Sequence, residues 1–323
     1  MSLGRYLLRR ALFALLLTVA VSSAALVLTL LTPGDFAADN QFGDPALMAA
    51  RRAALGLDRP LHVQYFDWAS RALRFDFGQS LLYTRPVNDL LRERALNTAV
   101  LSAAALLVAT LVGIPMGIYT AARARGVGAA LVRAASLVML SMPPLIASLA
   151  MVLLAARTGW FPVGGMSSAN AADLNWMSWL ADLARHVPLP AIALALPLAA
   201  TLERLQSQTM REAMQQPFVQ AAEARGLSRD RATIKHAWRV SLGPVLGLYG
   251  LMVGSLFSGS FIVEVITAWP GLGRLMYDAL RARDLYLVAG CAAAGALFLA
   301  IGTFLADLLL AAADPRTRAS TRA

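Results

Sequence analysis

The sequence predicts an all-α, polytopic membrane protein with six transmembrane helices and a small extracytoplasmic segment between the first and second. Three observations carry this. Apolar residues fill 58% of the 323 positions and charged residues only 15%, with a mean hydropathy of +0.59. A soluble domain lies nearer about half apolar and about a quarter charged, so the excess points to lipid as the solvent. The apolar residues gather in charge-free windows, and the excess of basic residues, 28 Arg and one Lys in all, over acids falls on one side of the membrane.

The first span is residues 11–34, preceded by Arg5, Arg9 and Arg10. The apolar core of a cleavable secretory signal is about 7–15 residues, and this run is longer, so it reads as an uncleaved helix. Residues 95–122, 134–156, 240–263 and 285–306 are further windows. Each reaches the roughly 20 residues needed to cross about 30 Å of hydrocarbon at about 1.5 Å per residue. The fourth window in chain order, residues 187–202, is short and holds Pro188, Pro190 and Pro197. It reads as a span that starts near Pro188 and continues past Glu203 and Arg204, with a re-entrant segment as the alternative; neighbouring helices can satisfy carbonyls that prolines free. Residues 158–172, rich in Gly, Ser and Asn, read as a loop.

Six spans with the N-terminus inside place both termini in the cytoplasm. The inside segments then carry 16 basic residues against five acids, and the outside segments 13 against 12. This is the positive-inside pattern of a multi-pass inner (plasma) membrane protein. A nucleic-acid partner is not expected, because a strand-binding face would interleave aromatics with its bases.

The residues exclude several chemistries. The only lysine, Lys235, has no glycine pattern before it, so no phosphate-binding loop of the G-x-x-x-x-G-K-[ST] type is present. No nucleophile shows a local catalytic signature, which leaves no catalytic residue to assign. His62, His186 and His236 are scattered, Cys291 is alone, and no metal-ligand spacing exists. Glu203, Arg204 and Glu212 read as the solvated face of a helix leaving the bilayer. Glu264, near the outer end of the fifth span beside Trp269 and Pro270, fits either a functional buried acid or a snorkelling interfacial one.

Between the fourth and fifth spans, Pro217 suits the first turn of a helix and Gly226 its C-terminal end. Phe218, Ala221, Ala222 and Arg225 recur at i, i+3, i+4 and i+7, which predicts one face. A bulky aromatic flanked by alanines lets such a helix sit in a partner's groove, and Arg225 can meet an acidic rim. An ordinary amphipathic interfacial helix is the alternative. Ser228 suits the cap of the next helix, which carries Arg229, Arg231, Lys235 and Arg239.

Gln220-Ala221-Ala222 followed by Gly226 resembles the E-A-A-x-x-x-G loop of binding-protein-dependent ABC importers, with Gln where Glu is usual. Along almost its whole length the chain is similar to the first-type permease subunit of the dipeptide/oligopeptide/nickel family. The matching stretches include Thr32-Pro33-Gly34-Asp35, Leu55-Gly56-Leu57-Asp58-Arg59-Pro60 and Phe77-Gly78-Gln79-Ser80. They continue with Gly113-Ile114-Pro115-Met116-Gly117, Ser141-Met142-Pro143, Trp269-Pro270-Gly271-Leu272-Gly273-Arg274, Asp278-Ala279-Leu280 and Asp314-Pro315-Arg316. The chain departs from the pattern at Ser241-Leu242-Gly243-Pro244, Pro217 and Ser207.

The resemblance implies a type I ABC importer permease fold. The expected organisation is residues 1–32 for the N-terminus and first helix, 33–94 for an extracytoplasmic cap and 95–313 for the transmembrane domain. A docking loop occupies about 209–240, and residues 314–323 form a cytoplasmic tail. The implied partners are a second permease subunit in a heterodimer, two cytoplasmic ABC ATPase subunits and an extracytoplasmic solute-binding protein. ATP and Mg would sit on the ATPases, with no cofactor in this chain and no enzymatic activity of its own. Phe218, Gln220, Ala221, Ala222, Arg225 and Gly226 would dock one ATPase. The function implied is a translocation pathway for peptides or a related small solute. An ion-coupled secondary transporter is the alternative, but it needs ionisable groups at mid-membrane depth, and the window interiors have none.

Overall fold

The computed structural model describes residues 3–32, 53 and 58–313. Expectations for residues 33–52 and 54–57 of the cap, and for the tail 314–323, lie outside the described residues. Among the described residues the secondary structure is helical, with no strand beyond an isolated bridge between Gln79 and Pro86. The helices are α1 (Leu3–Leu31), α2 (Leu61–Ala72), α3 (Val87–Ala122), α4 (Val127–Ser141), α5 (Pro144–Thr158) and α6 (Trp176–His186). They continue with α7 (Pro188–Met214), α8 (Pro217–Ala224), α9 (Trp238–Ile266), α10 (Leu272–Arg281) and α11 (Leu285–Ala313).

Among the described residues five helices are long and apolar enough to cross a membrane, and a sixth span is counted if the bent pair α4 and α5 is taken as one broken span. The all-α polytopic expectation therefore holds, with two differences of detail. The third window is not straight: α4 and α5 meet at 105°. The cause is local, since Pro143 and Pro144 follow Met142 and a residue before proline is pushed out of the helical region. Met142 accordingly has ψ 114° and Pro143 has ψ 142°. The second span begins at Val87 and not at 95, because the helix runs through Asp89, Arg92, Glu93 and Arg94 before entering its apolar stretch. Asp89 lies in its first turn, where a carboxylate suits the positive end of the helix.

The described chain divides into two compact units. The larger contains residues 99–269 together with the end of α11. Its central element is α7, which packs against α4, α5, α6 and α9 and has 61% of its apolar window buried. This helix begins at Pro188, tolerates Pro197 in its interior and continues for 27 residues past Glu203 and Arg204. One continuous helix replaces the re-entrant alternative.

The backbones of α3 and α7 approach closely at Gly113 and Gly117. A Cβ at Gly113 would lie 2.5 Å from the Ala199 carbonyl, and one at Gly117 would lie 2.7 Å from the Glu203 carbonyl. Small residues four apart permit such crossings in membranes, where tight packing must supply what the hydrophobic effect does not. Glu203 is buried at this crossing and accepts a hydrogen bond from the Thr120 hydroxyl at 2.6 Å. The expectation of a solvated face is thus wrong for Glu203 and right for Arg204 and Glu212, which are exposed. One turn on, Gln206 donates to the Ser241 hydroxyl at 2.8 Å, tying α7 to α9. Glu264 and Trp269 are fully buried, which removes the snorkelling alternative for Glu264.

One helix of this unit escaped the sequence reading. Asn175 caps α6, its side chain accepting from the Ser178 amide at 2.9 Å. From α6, Asp182 reaches back to the preceding loop and accepts from the Ser168 amide at 2.8 Å and from the Ser168 hydroxyl. These bonds, aided by His186, hold the Asp182 carboxyl below the usual carboxylate range.

The second unit contains residues 3–98 and 270–300. Trp68 on α2 is buried against Leu26 of α1 and Leu285 and Ala289 of α11, and Tyr65 donates to the Ser23 hydroxyl at 3.1 Å. Tyr65 and Trp68 therefore mark the packed face of α2. A buried carboxylate organises the loop beside it. Asp284 accepts from the Ser80 hydroxyl at 2.7 Å, the Leu82 amide at 3.0 Å and the Leu287 amide at 3.1 Å. Tyr83 donates to Asp278 at 3.2 Å; burial, with that carboxylate beside it, pushes the phenol above its ordinary value. The same unit explains the Pro-Gly-Leu stretch from Pro270 to Leu272, where Asn97 donates to the Pro270 carbonyl and the Leu272 amide to Thr98, each at 2.8 Å.

Candidate functional site

The segment that joins α7 to α9 is built by short-range chemistry. Pro217 occupies the first turn of α8, where a missing N–H costs nothing and its fixed φ suits the helix. Gln216, with ψ 144°, turns the chain between Met214 and that start. At the other end the Gly226 amide donates to the Glu223 carbonyl at 2.9 Å and the Leu227 amide to the Ala222 carbonyl at 3.2 Å. This pair of bonds is a Schellman closure, and it needs a left-handed residue between them. Gly226 supplies it with φ +93°. Packing within this chain does not require the glycine, since a Cβ there would meet nothing within 4 Å. Backbone conformation alone accounts for the glycine.

The helix has a held face and a bare face. Val219 and Ala222 are buried in a cluster with Ala121 at the end of α3, Met210 and Ala213 at the end of α7, and Ala232 and Ala237 beyond. Leu227 packs against the same cluster, completing the apolar contact that accompanies a Schellman closure. Phe218 is 42% exposed, and Gln220, Ala221, Arg225 and Gly226 are exposed as well. The expected single face therefore divides: Phe218, Ala221 and Arg225 stay together outside, and Ala222 turns inward. At about 100° per residue, Ala222 stands between Phe218 and Val219 around the helix, so it borders the held side. Gln220 donates to the Gln215 carbonyl at 3.4 Å, and Arg225 spends its Nε on the Ala221 carbonyl at 3.2 Å, leaving its terminal amines outward.

Val219 was the residue that sequence reasoning missed. Its signal was available: it lies three before Ala222 on an eight-residue helix, the spacing of a second, inward apolar pair. Beyond the loop, the Ser228 carbonyl accepts from the Ala232 amide at 2.9 Å and opens a helical turn, Arg229–Ala232. A π-helical turn, Thr233–Ala237, then leads into α9. π-turns insert one extra residue per turn and are frequent at functional sites. Arg231, Lys235 and Arg239 are exposed along this stretch, on the same end of the unit as α8.

The site has no catalytic constellation. Among the described residues no group of three or more His, Cys, Asp or Glu is placed to hold a metal ion. What the loop offers is a short, rigidly seated helix presenting an aromatic ring, an alanine and a guanidinium. That is the geometry of helix-in-groove recognition, in which one side is fixed and the other is available.

Residues 113–319 match the family described as binding-protein-dependent transport system inner membrane component, and residues 3–99 match that family's N-terminal membrane component. The oligopeptide transport system permease protein AppB of Bacillus subtilis (strain 168) is 31% identical over 97% of this chain and 99% of its own length. A putative peptide permease protein of Brucella ovis is 34% identical over the same shares. The oligopeptide transport system permease protein OppB of Mycobacterium bovis is 32% identical over 98% of this chain and 99% of its own length. With a match over most of its length and relatives aligned end to end, the chain belongs to the family of binding-protein-dependent transport system inner membrane components.

Proposed function

We propose that this chain is the permease subunit of an ATP-binding-cassette importer and forms part of a translocation pathway for peptides. The substrate class rests on the relatives, whose names specify peptide or oligopeptide transport. α8 is the docking helix for a cytoplasmic ATPase, with Phe218, Ala221 and Arg225 facing the partner, Gln220 and Gly226 at the margins and Ala222 seating the helix. The observation that carries this is the division of α8 into a seated face, Val219 and Ala222, and a bare face led by Phe218. A helix held on one side to the ends of α3 and α7 passes displacement to them as a unit, which rigid-body alternating access requires.

In this reading both termini and α8 are cytoplasmic, supported by the excess of basic residues in those segments. A second permease subunit completes the pathway as a heterodimer, two ATPases bind below and a solute-binding protein delivers from outside. The chain itself performs no catalysis and holds no cofactor; ATP and Mg belong to the ATPases. The ion-coupled alternative is not favoured, because the family consists of binding-protein-dependent systems.

The test is affinity co-purification of the full chain from its native membrane, compared with a Phe218→Glu, Ala221→Glu variant. The wild type is expected to bring ATPase subunits and the variant to lose them while remaining in the membrane. Equal recovery of ATPase, or unchanged peptide uptake, overturns the docking assignment.

A further inference from the structure

A cleft of about 290 Å³ opens between α4 and the polar half of α7 in the larger unit. Arg133 and Leu137 line it from α4, and Glu203, Arg204, Ser207, Gln208 and Arg211 line it from α7. The spacing explains the convergence. Arg204, Ser207, Gln208 and Arg211 stand at i, i+3, i+4 and i+7, so two turns of α7 present one polar face. Arg133 and Leu137, four apart on α4, meet that face.

Three guanidinium groups surround a cleft with a single acid. Glu203 is that acid, and its Oε1 is already engaged by Thr120. Arg133 spends one Nη on the Ala124 carbonyl at 3.1 Å, and Arg211 spends its Nε on the Ser207 carbonyl at 3.1 Å. Both retain terminal N–H donors, and Arg204 has no ion-pair or hydrogen-bond partner among the described residues. A second observation is independent of charge. Ser207 is 97% buried, lines the cleft and has a hydroxyl with no hydrogen-bond partner. An orphan hydroxyl in a helix core is costly, and one at the wall of a basic cleft is satisfied by a bound acceptor.

We propose that this cleft binds a phosphate group, held by Arg133, Arg204 and Arg211 and accepting a hydrogen bond from Ser207. Planar guanidinium groups match the oxygen geometry of phosphate, and basic pockets between membrane helices receive anionic headgroups. The volume lies at the small end of ligand pockets, about 300–1,000 Å³, which suits a headgroup and is too small for most of a peptide. The level also suits a headgroup, since the site begins where the apolar window of α7 ends, at Leu202. The cleft shares α7 with the seat of α8, so a bound phosphate would brace the helix on which the docking segment rests. The site stands whichever solute the chain conducts.

The test uses the full chain in neutral detergent, titrated with phosphatidylglycerol and with phosphatidylcholine and read by native mass spectrometry. The expected preference for phosphatidylglycerol is on the order of tenfold. It should fall to near parity in the combined Arg133→Gln, Arg204→Gln, Arg211→Gln variant and be kept when the same three become Lys. Ser207→Ala, small enough to leave the packing of α7 intact, should weaken it a few-fold. Displacement of the lipid by inorganic phosphate identifies a soluble phosphate as the ligand; no displacement identifies the lipid headgroup. The proposal is overturned if the two lipids bind equally to the wild type. It is also overturned if Arg231→Gln, Lys235→Gln, Arg239→Gln lowers the preference as much, because general surface charge would then explain it.

Discussion

The Glu203 carboxylate and the Thr120 hydroxyl meet at 2.6 Å inside the larger unit, one turn beyond the point where Gly117 brings α3 against α7. The glycine makes the approach possible and the hydrogen bond fixes its register. A carboxylate buried in this way is stabilised only while its donor remains. Thr120→Val keeps the shape of the side chain and removes the donor, so it should destabilise the protein by roughly 1.5–3 kcal/mol, the usual range for a hydrogen bond to a charged group. Thr120→Ser should recover most of the loss. Thermal unfolding of the purified chain measures both, and equal melting of wild type and Thr120→Val would show that the bond contributes nothing.

The crossing itself predicts a contrast between two glycines. Gly117→Val forces a side chain into space already held by the Glu203 carbonyl and the Gln206 Cβ, each 2.7 Å from an ideal Cβ. Overpacking of this kind costs about 1–3 kcal/mol. Gly247→Ala on α9 meets nothing within 4 Å and should be neutral or stabilising by roughly 0.5–1 kcal/mol, since alanine is the better helix former. Yield and melting temperature should fall for Gly117→Val and hold or rise for Gly247→Ala.

Docking and folding separate at α8. Phe218 is on the bare face, and Phe218→Ala should change stability by no more than about 0.5 kcal/mol while sharply lowering ATP-driven uptake. Gly226→Ala acts differently: its φ of +93° is disfavoured for any residue with a Cβ, at a cost of about 1–2 kcal/mol. The Schellman closure should fray, exposing the Leu227 amide to faster hydrogen exchange. Uptake normalised to the amount of chain in the membrane distinguishes the two effects.

Asp182 gives a pH prediction with a definite sign. Its bonds from Ser168 favour the ionised form, so its folded value lies below the ordinary value of about 3.9. The stabilisation is fully present above that ordinary value and is lost as pH falls through the folded one. Hydrogen exchange at the Ser168 amide should therefore be slow and flat in pH dependence near neutrality, after correction for intrinsic rates. Asp182→Asn should raise it at pH 7, and equal protection in the variant would show that the carboxylate does not hold the loop.

Much of this architecture was legible in one sequence because lipid imposes a coarse and consistent code. About twenty apolar residues cross a bilayer, so charge-free windows mark the helices able to span it. Proline and glycine chemistry is also local, which is why the start of α8 at Pro217 and its end at Gly226 agreed with the pattern.

What the sequence determined, then, was a helical membrane chain, its spans and a short helix between the fourth and fifth. Only the tertiary structure decided which residues are inside. Glu203 reads as a solvated acid until Gly117 and Thr120 are brought against it. Ala222 reads as a docking residue until Val219, Met210 and Ala213 claim its side of the helix. The break between α4 and α5 has a visible cause in Pro143 and Pro144, but its angle of 105° depends on what each half packs against. Hydropathy records the preference of one residue for lipid or water, whereas burial, partner and angle depend on neighbours distant in sequence. Such neighbours are supplied by packing, and no local window contains them.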